Sequence, residues 1–234
     1  MNRINDVAII SLTISFGILS FIASLSLGAA DISFSDVTSS LLASFSPEKD
    51  AQDVLFFERI IWELRMPRAI LAFLAGCGLA VSGLILQTVT RNPLADPYLF
   101  GISSGASLGV VVSIVLLGST ISLVTPVAAF AGSLVAMLML LMISGRRQSQ
   151  QVESMLLAGV ALSFLFSSFT SLLLYHTDPK AVTAVLFWTM GSFSRAQWGV
   201  LWFPAVVIIS CVMMMLAYRR QLNAMLLGDE SATT

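Results

Sequence analysis

Few residues in this sequence are equipped to do chemistry, and their placement says more than their number. The single histidine, His176, has no second ligand type beside it and so gives no support to a metal site. Cys77 and Cys211 each lie inside an apolar run, where a thiol reads as a small core residue. The polar groups that do form a pattern are hydroxyls. Gly159, Ser163, Ser167 and Ser171 recur every four residues, with Ser168 and Thr170 alongside. That spacing places them on one slightly slanted helix face. The stripe has two readings: hydrogen bonding to neighbouring helices, or the wall of a hydrated path. Serine offers a path donors and acceptors without fixed charge, so a bulky solute slides past without being trapped. No serine here has a histidine or lysine partner, so a nucleophile–base pair is missing and an enzymatic reading has no support.

The stripe belongs to one of six apolar stretches of near-spanning length: Ile9–Leu27, Ala69–Val89, Leu99–Leu117, Ile121–Ile143, Met155–Leu174 and Val200–Ala217. A helix needs roughly 20 apolar residues to cross the hydrocarbon core. None of the six contains Asp, Glu, Lys, Arg or His. Ion-coupled transporters usually carry such groups or unwound helices at membrane depth. If this protein moves anything uphill, the energy comes from another subunit. An ion-coupled secondary transporter and a non-catalytic membrane assembly protein remain the alternative readings.

Composition agrees with the spans. Of 234 residues, 57% are hydrophobic and 11% charged, against about 25% charged in soluble domains. Net charge is −1, without a basic block, which excludes nucleic acid as a partner and leaves membrane lipid as the solvent. The expected fold class is therefore all-α, a polytopic membrane protein of about six transmembrane helices.

The first stretch follows Arg3 and precedes Gly28-Ala29-Ala30, which resembles a cleavage site. Its apolar core is longer than the ~7–15 residues of a signal peptide, so it reads as a retained span. Positive charge divides evenly between the two sides, but short loops weigh most. Arg146-Arg147 faces a charge-free turn at Gly118-Ser119-Thr120, which favours an N-terminus inside. Residues 28–68 then form an external loop, with an interfacial helix carrying Val54, Phe57, Ile61 and Leu64 on one face. Lys180–Trp198, with Phe187, Trp188, Phe193 and Trp198, reads as a boundary segment. Small residues at four-residue spacing mark packing faces: Gly101, Gly105 and Gly109; Ala128, Gly132 and Ala136; Ala72, Gly76, Ala80 and Gly83.

Between the second and third stretches runs Gln87-Thr-Val-Thr-Arg-Asn-Pro-Leu-Ala-Asp-Pro-Tyr-Leu-Phe-Gly-Ile-Ser-Ser-Gly-Ala106. Asn-Pro and Asp-Pro end one helix and restrict how the next begins. Physics accounts for a rigid turn, but not for this string. Together with Leu64-Arg-Met-Pro-Arg68, Leu156-Leu-Ala-Gly-Val-Ala161, Phe187-Trp-Thr-Met-Gly191 and Leu227-Gly-Asp-Glu-Ser-Ala232, it closely resembles the permease subunits of binding-protein-dependent ABC importers for iron–siderophore complexes, haem and cobalamin.

The resemblance implies ten helices per subunit, two permease subunits around a central path, two cytoplasmic ABC ATPase subunits and an external substrate-binding protein. It implies no bound cofactor and no ATPase site in this chain, with ATP used by the partner, in the cytoplasmic (inner) membrane of a bacterium. Carried over residue by residue, it assigns Arg65 and Arg68 to docking of the binding protein and Ser163, Ser167 and Ser171 to the path. It assigns Asn92 and Leu94 to the cytoplasmic gate. Val152 and Glu153 fall at the other gate segment, where some relatives have a small hydroxylic pair, so Glu153 departs from the pattern. It assigns Gly228, Asp229 and Glu230 to ATPase coupling, within residues 219–234, where the cytoplasmic coupling segment starts. Family members are longer, so residues 1–234 read as one permease domain incomplete at its C-terminus, not expected to transport alone. Ferric siderophores are the favoured substrate class, with haem and cobalamin as the others.

Overall fold

The computed structural model describes residues 3–28, 33, 35, 37–38, 58–117, 123–144 and 151–227. Among the described residues there are eight α-helices: α1 (Arg3–Ser26), α2 (Met66–Thr90), α3 (Ile102–Leu117), α4 (Val124–Ser144), α5 (Gln151–Tyr175), α6 (Pro179–Thr189), α7 (Trp198–Ala217) and α8 (Arg219–Leu227). No strand occurs among the described residues. The turns 118–122 and 145–150 that set the expected orientation lie outside the described residues, as do Val54 and Phe57.

Among the described residues, five helical stretches are long and apolar enough to cross a membrane: Val7–Ser26, Ile60–Thr90, Val124–Ser144, Ser154–Tyr175 and Trp198–Ala217. The third expected span is the exception. Pro97–Phe100 form a separate 3-10 turn and Gly101 takes φ 75°, so α3 starts only at Ile102 and has 16 residues. At 1.5 Å per residue it covers about 24 Å, short of the ~30 Å hydrocarbon thickness.

The second span is longer than its apolar run suggested. Ile60–Arg65 forms a π turn that leads directly into α2, with Met66 N–H donating to Ile61 O. Pro67 explains the wide turn. A proline inside a helix has no donor and its ring presses on the carbonyl four residues back. Widening the turn relieves that pressure. The described end of the expected interfacial helix is therefore the first turn of the second span. Ile61 is fully buried there rather than turned to lipid, while Leu64 stays exposed.

Two compact units divide the chain: residues 1–77 with 193–208, and 78–192 with 209–234. In the first unit, Leu25, Val37, Ile61, Met66 and Ala69 form the core, edged by Phe21, Ile60, Trp62 and Ile70. In the second, Phe100, Ala136, Leu140, Leu162 and Phe166 form the core.

The second unit is built on close backbone approach. A Cβ at Gly105 would lie 2.5 Å from Ala136 Cβ and 2.7 Å from Gly132 O, so α3 and α4 meet along the two expected small-residue rows. The row on α2 behaves differently. Nothing lies within 4 Å of a Cβ built at Gly76 or Gly83, so no described element packs there.

Candidate functional site

The motif between α2 and α3 folds into a turn in which most backbone N–H groups are engaged. Arg91 N–H donates to Thr88 O at 3.3 Å, and Asn92 N–H to Gln87 O at 3.2 Å. This pair of bonds is the Schellman ending of a helix, which needs a left-handed residue at its first position beyond the cap, usually glycine. Here that residue is Arg91, at φ 51°. A non-glycine residue so placed costs about 1–2 kcal/mol. Pro93 then prevents the helix from resuming. Asn92 Oδ1 accepts from Leu94 N–H at 2.9 Å, and Ala95 N–H donates to Asn92 O at 3.1 Å. Asp96 Oδ1 accepts from Tyr98 N–H at 2.8 Å and caps the 3-10 turn. Leu94 projects from this scaffold and is 84% exposed.

The turn rests on α5. A Cβ at Gly159 would meet Leu99 O at 2.6 Å, and one at Gly101 would meet Gly159 O at 2.9 Å and Ser163 Oγ at 3.2 Å. Gly101 thus serves twice: its positive φ turns the chain into α3, and its missing side chain admits α5. Ser163 Oγ donates to Gly159 O at 2.9 Å within its own helix. The stripe of small residues therefore divides. Gly159 and Ser163 form a packing face against the turn, whereas Ser167 and Ser171 are exposed. Ser168 donates back to Phe164 O at 2.8 Å, and Thr170 Oγ1 is buried without a partner among the described residues. No charged side chain lies between Ser154 and Tyr175.

Arg91 also reaches beyond its turn. Its Nε donates to Met225 O, in the last turn of α8, at 3.0 Å. The sequence places Arg91 in the motif but assigns it no role. An arginine in the helix-ending position usually held by glycine, directly before Asn-Pro, was the available signal.

The two arginines of Leu64–Arg68 differ sharply. Arg65 is 9% exposed, and its Nη1 donates to Leu25 O at 2.6 Å and Ser26 O at 2.7 Å. These are the last two residues of α1, whose carbonyls have no donor within the helix. A guanidinium there satisfies them and suits the negative end of the helix dipole. Gly28 leaves room for it, since a Cβ there would sit 2.8 Å from Arg65 Nη2. Arg68 is partly exposed, with Nη2 donating to Ser194 O at 3.3 Å and Nε buried without a partner among the described residues.

Trp198 is a second residue that pattern reading missed in this role. In the i to i+5 register of the π turn, the donor for Trp62 O would be residue 67, which is proline. Trp198 Nε1 donates to that carbonyl at 2.8 Å instead.

His176 stacks edge-to-face on Tyr175 with ring centroids 5.1 Å apart. Cys77 and Cys211 are free thiols. Val152 and Glu153 lie in the first turn of α5, but their side chains are outside the described residues, as are Gly228, Asp229 and Glu230 entirely.

Apolar helices of spanning length and glycine-tight packing define a multi-pass membrane protein. The chain belongs to the FecCD transport family, which it matches over residues 16–234. It is similar to the hemin transport system permease protein of Yersinia pestis, at 41% identity over 177 residues, covering 74% of this chain and 53% of that one. The Fe(3+) dicitrate transport system permease protein of Escherichia coli K12 is 34% identical over 175 residues, covering 75% and 54% respectively. A solved structure described as an inward-facing conformation of a metal-chelate type ABC transporter superposes with a TM-score of 0.77 at 27% identity, covering 96% of this chain and 66% of that one. The chain spans about half the length of the curated relatives it matches.

Proposed function

We propose that this chain is the transmembrane permease part of an ATP-driven importer that passes an iron–siderophore complex, or haem or cobalamin, across the inner membrane. An external binding protein delivers the chelate, a second permease subunit completes the path, and separate ABC ATPase subunits hydrolyse ATP. The observation that carries this reading is α5. It has the length to cross the membrane and exposes Ser167 and Ser171 without a charged group, in a chain that matches a metal-chelate transport family. A coordinated chelate is large and polar at its rim. Hydroxyls offer it replaceable hydrogen bonds, whereas fixed charges would hold it.

In this reading Asn92 and Leu94 form one part of the cytoplasmic gate, and Val152 and Glu153 the other. The rigid turn 91–96 supports Leu94 as a blunt apolar plug. Gly228, Asp229 and Glu230 begin the segment that meets the ATPase. Of the two arginines, Arg68 makes direct contact with acidic groups of the docked binding protein. Arg65 acts through the segment it anchors.

The test is uptake into proteoliposomes holding the permease, its ATPase and its binding protein. Ferric siderophores, haem and cobalamin are offered separately, after the binding protein has been screened for each. ATP-dependent accumulation of one of them is expected. Accumulation driven by an ion gradient without ATP, or of none of the three chelates, overturns the proposal.

A further inference from the structure

Arg91 combines two features that do not require each other. Its backbone holds the left-handed position of a Schellman ending, and its Nε donates to Met225 O at 3.0 Å, 134 residues along the chain. Glycine would make the same turn without strain but has no side chain to reach α8. What arginine adds over the residue the turn prefers is the bond to α8.

We propose that Arg91 is a positioning residue that ties the end of α8 to the turn 91–96, so that displacement of either is carried to the other. The turn suits this role because it is braced from within. Asn92 holds Leu94 N–H and Ala95 N–H, Pro93 restricts the chain, and Asp96 holds Tyr98 N–H. A pull on Arg91 therefore moves the turn as a body instead of being absorbed by it. The tie deepens the importer reading and rests on it for its purpose: α8 leads into the proposed ATPase segment, and the turn carries Asn92 and Leu94. ATPase movement would reach the gate through one guanidinium. Coupling of this kind is reciprocal, so the state of the gate would also bias α8.

The experiment uses the permease assembled with its ATPase and binding protein in nanodiscs. Arg91→Gly relieves the turn and removes the tie. Arg91→Asn, also tolerated at positive φ, serves as a second variant of the same kind, and Arg91→Lys keeps a cation. Hydrogen–deuterium exchange is followed across residues 219–227 and 92–100, together with chelate imported per ATP hydrolysed. Arg91→Gly should speed exchange in the last turn of α8 about tenfold, the scale of one lost charge-assisted hydrogen bond. Import per ATP should fall severalfold while hydrolysis continues, with Arg91→Lys between the two. Unchanged exchange in 219–227 in both Arg91→Gly and Arg91→Asn overturns the tie. Altered exchange with unchanged import per ATP overturns its role in coupling. If the unaltered assembly imports no chelate, the importer reading falls, and the exchange measurement still decides the tie.

Discussion

Ser163 and Ser167 are one helical turn apart and identical in type, yet they should respond oppositely to the same change. Ser163 lies against Gly101 in the packed face. Ser163→Leu would overpack that contact, at a cost of about 1–3 kcal/mol, and lower the thermal midpoint in detergent. Ser167 is open, so Ser167→Leu should leave expression and ATPase assembly near normal and abolish chelate uptake. Normal uptake in Ser167→Leu would reduce the whole stripe to a packing face. The four-residue rhythm was legible in the sequence; its division was not, because Gly101 lies far from Ser163 along the chain. The same distance hid Trp198. If its indole replaces the donor that Pro67 lacks, Trp198→Phe should cost about 0.5–1.5 kcal/mol in the native background. It should cost much less beside Pro67→Ala, where residue 67 regains an N–H. A double-mutant cycle measured by denaturation in detergent reads the coupling, and additive effects would refute the substitution of one donor for the other.

At the level of helices, the sequence reading did best where a pattern depends only on local spacing. Gly105, Gly109, Gly132 and Ala136 were expected to be contact positions because small residues let backbones meet, and α3 and α4 do meet there. It fell short where one residue changes the helix type. Pro67 turns the approach to α2 into a π turn, which carries the second span back to Ile60. Gly101 shortens the third by the same kind of local veto. Spacing alone could not foresee that Gly76 and Gly83 would have no described neighbour, since a small-residue row names a face and not its partner. Topology remains a prediction of charge placement. Residues 146–151 should face the cytoplasm, and 31–53 and 176–180 the outside. Single cysteines at Ser149 and Thr177, in a background lacking Cys77 and Cys211, report this through an impermeant thiol reagent on intact cells. Labelling at Thr177 alone is expected, and labelling at Ser149 alone would invert the arrangement.

For the molecule as a whole, the proposed function gives the two arginines of Leu64–Arg68 separate tasks, recognition for Arg68 and construction for Arg65. Exposed ion pairs are worth only ~0.2–1 kcal/mol each, but complementary charge governs encounter. Arg68→Glu should slow association with the binding protein severalfold at low salt, and the deficit should shrink as ionic strength rises. The same reversal at Glu48, farther along the outer loop, should do much less. Association kinetics against salt decide it, and an unchanged rate at low salt returns Arg68 to an interfacial anchor. Arg65→Glu should instead destabilise the protein, because it sets a carboxylate against the Leu25 and Ser26 carbonyls. Arg65 closes over α1 from 40 residues downstream. A ribosome that has just released α1 has therefore made a helix whose C-terminal end still lacks its clasp. Until the nascent chain lengthens past Arg65, that end must borrow donors from water or from the translocon. The end of the first helix thus waits for the start of the second, and Arg65 can join the two only once both have been made.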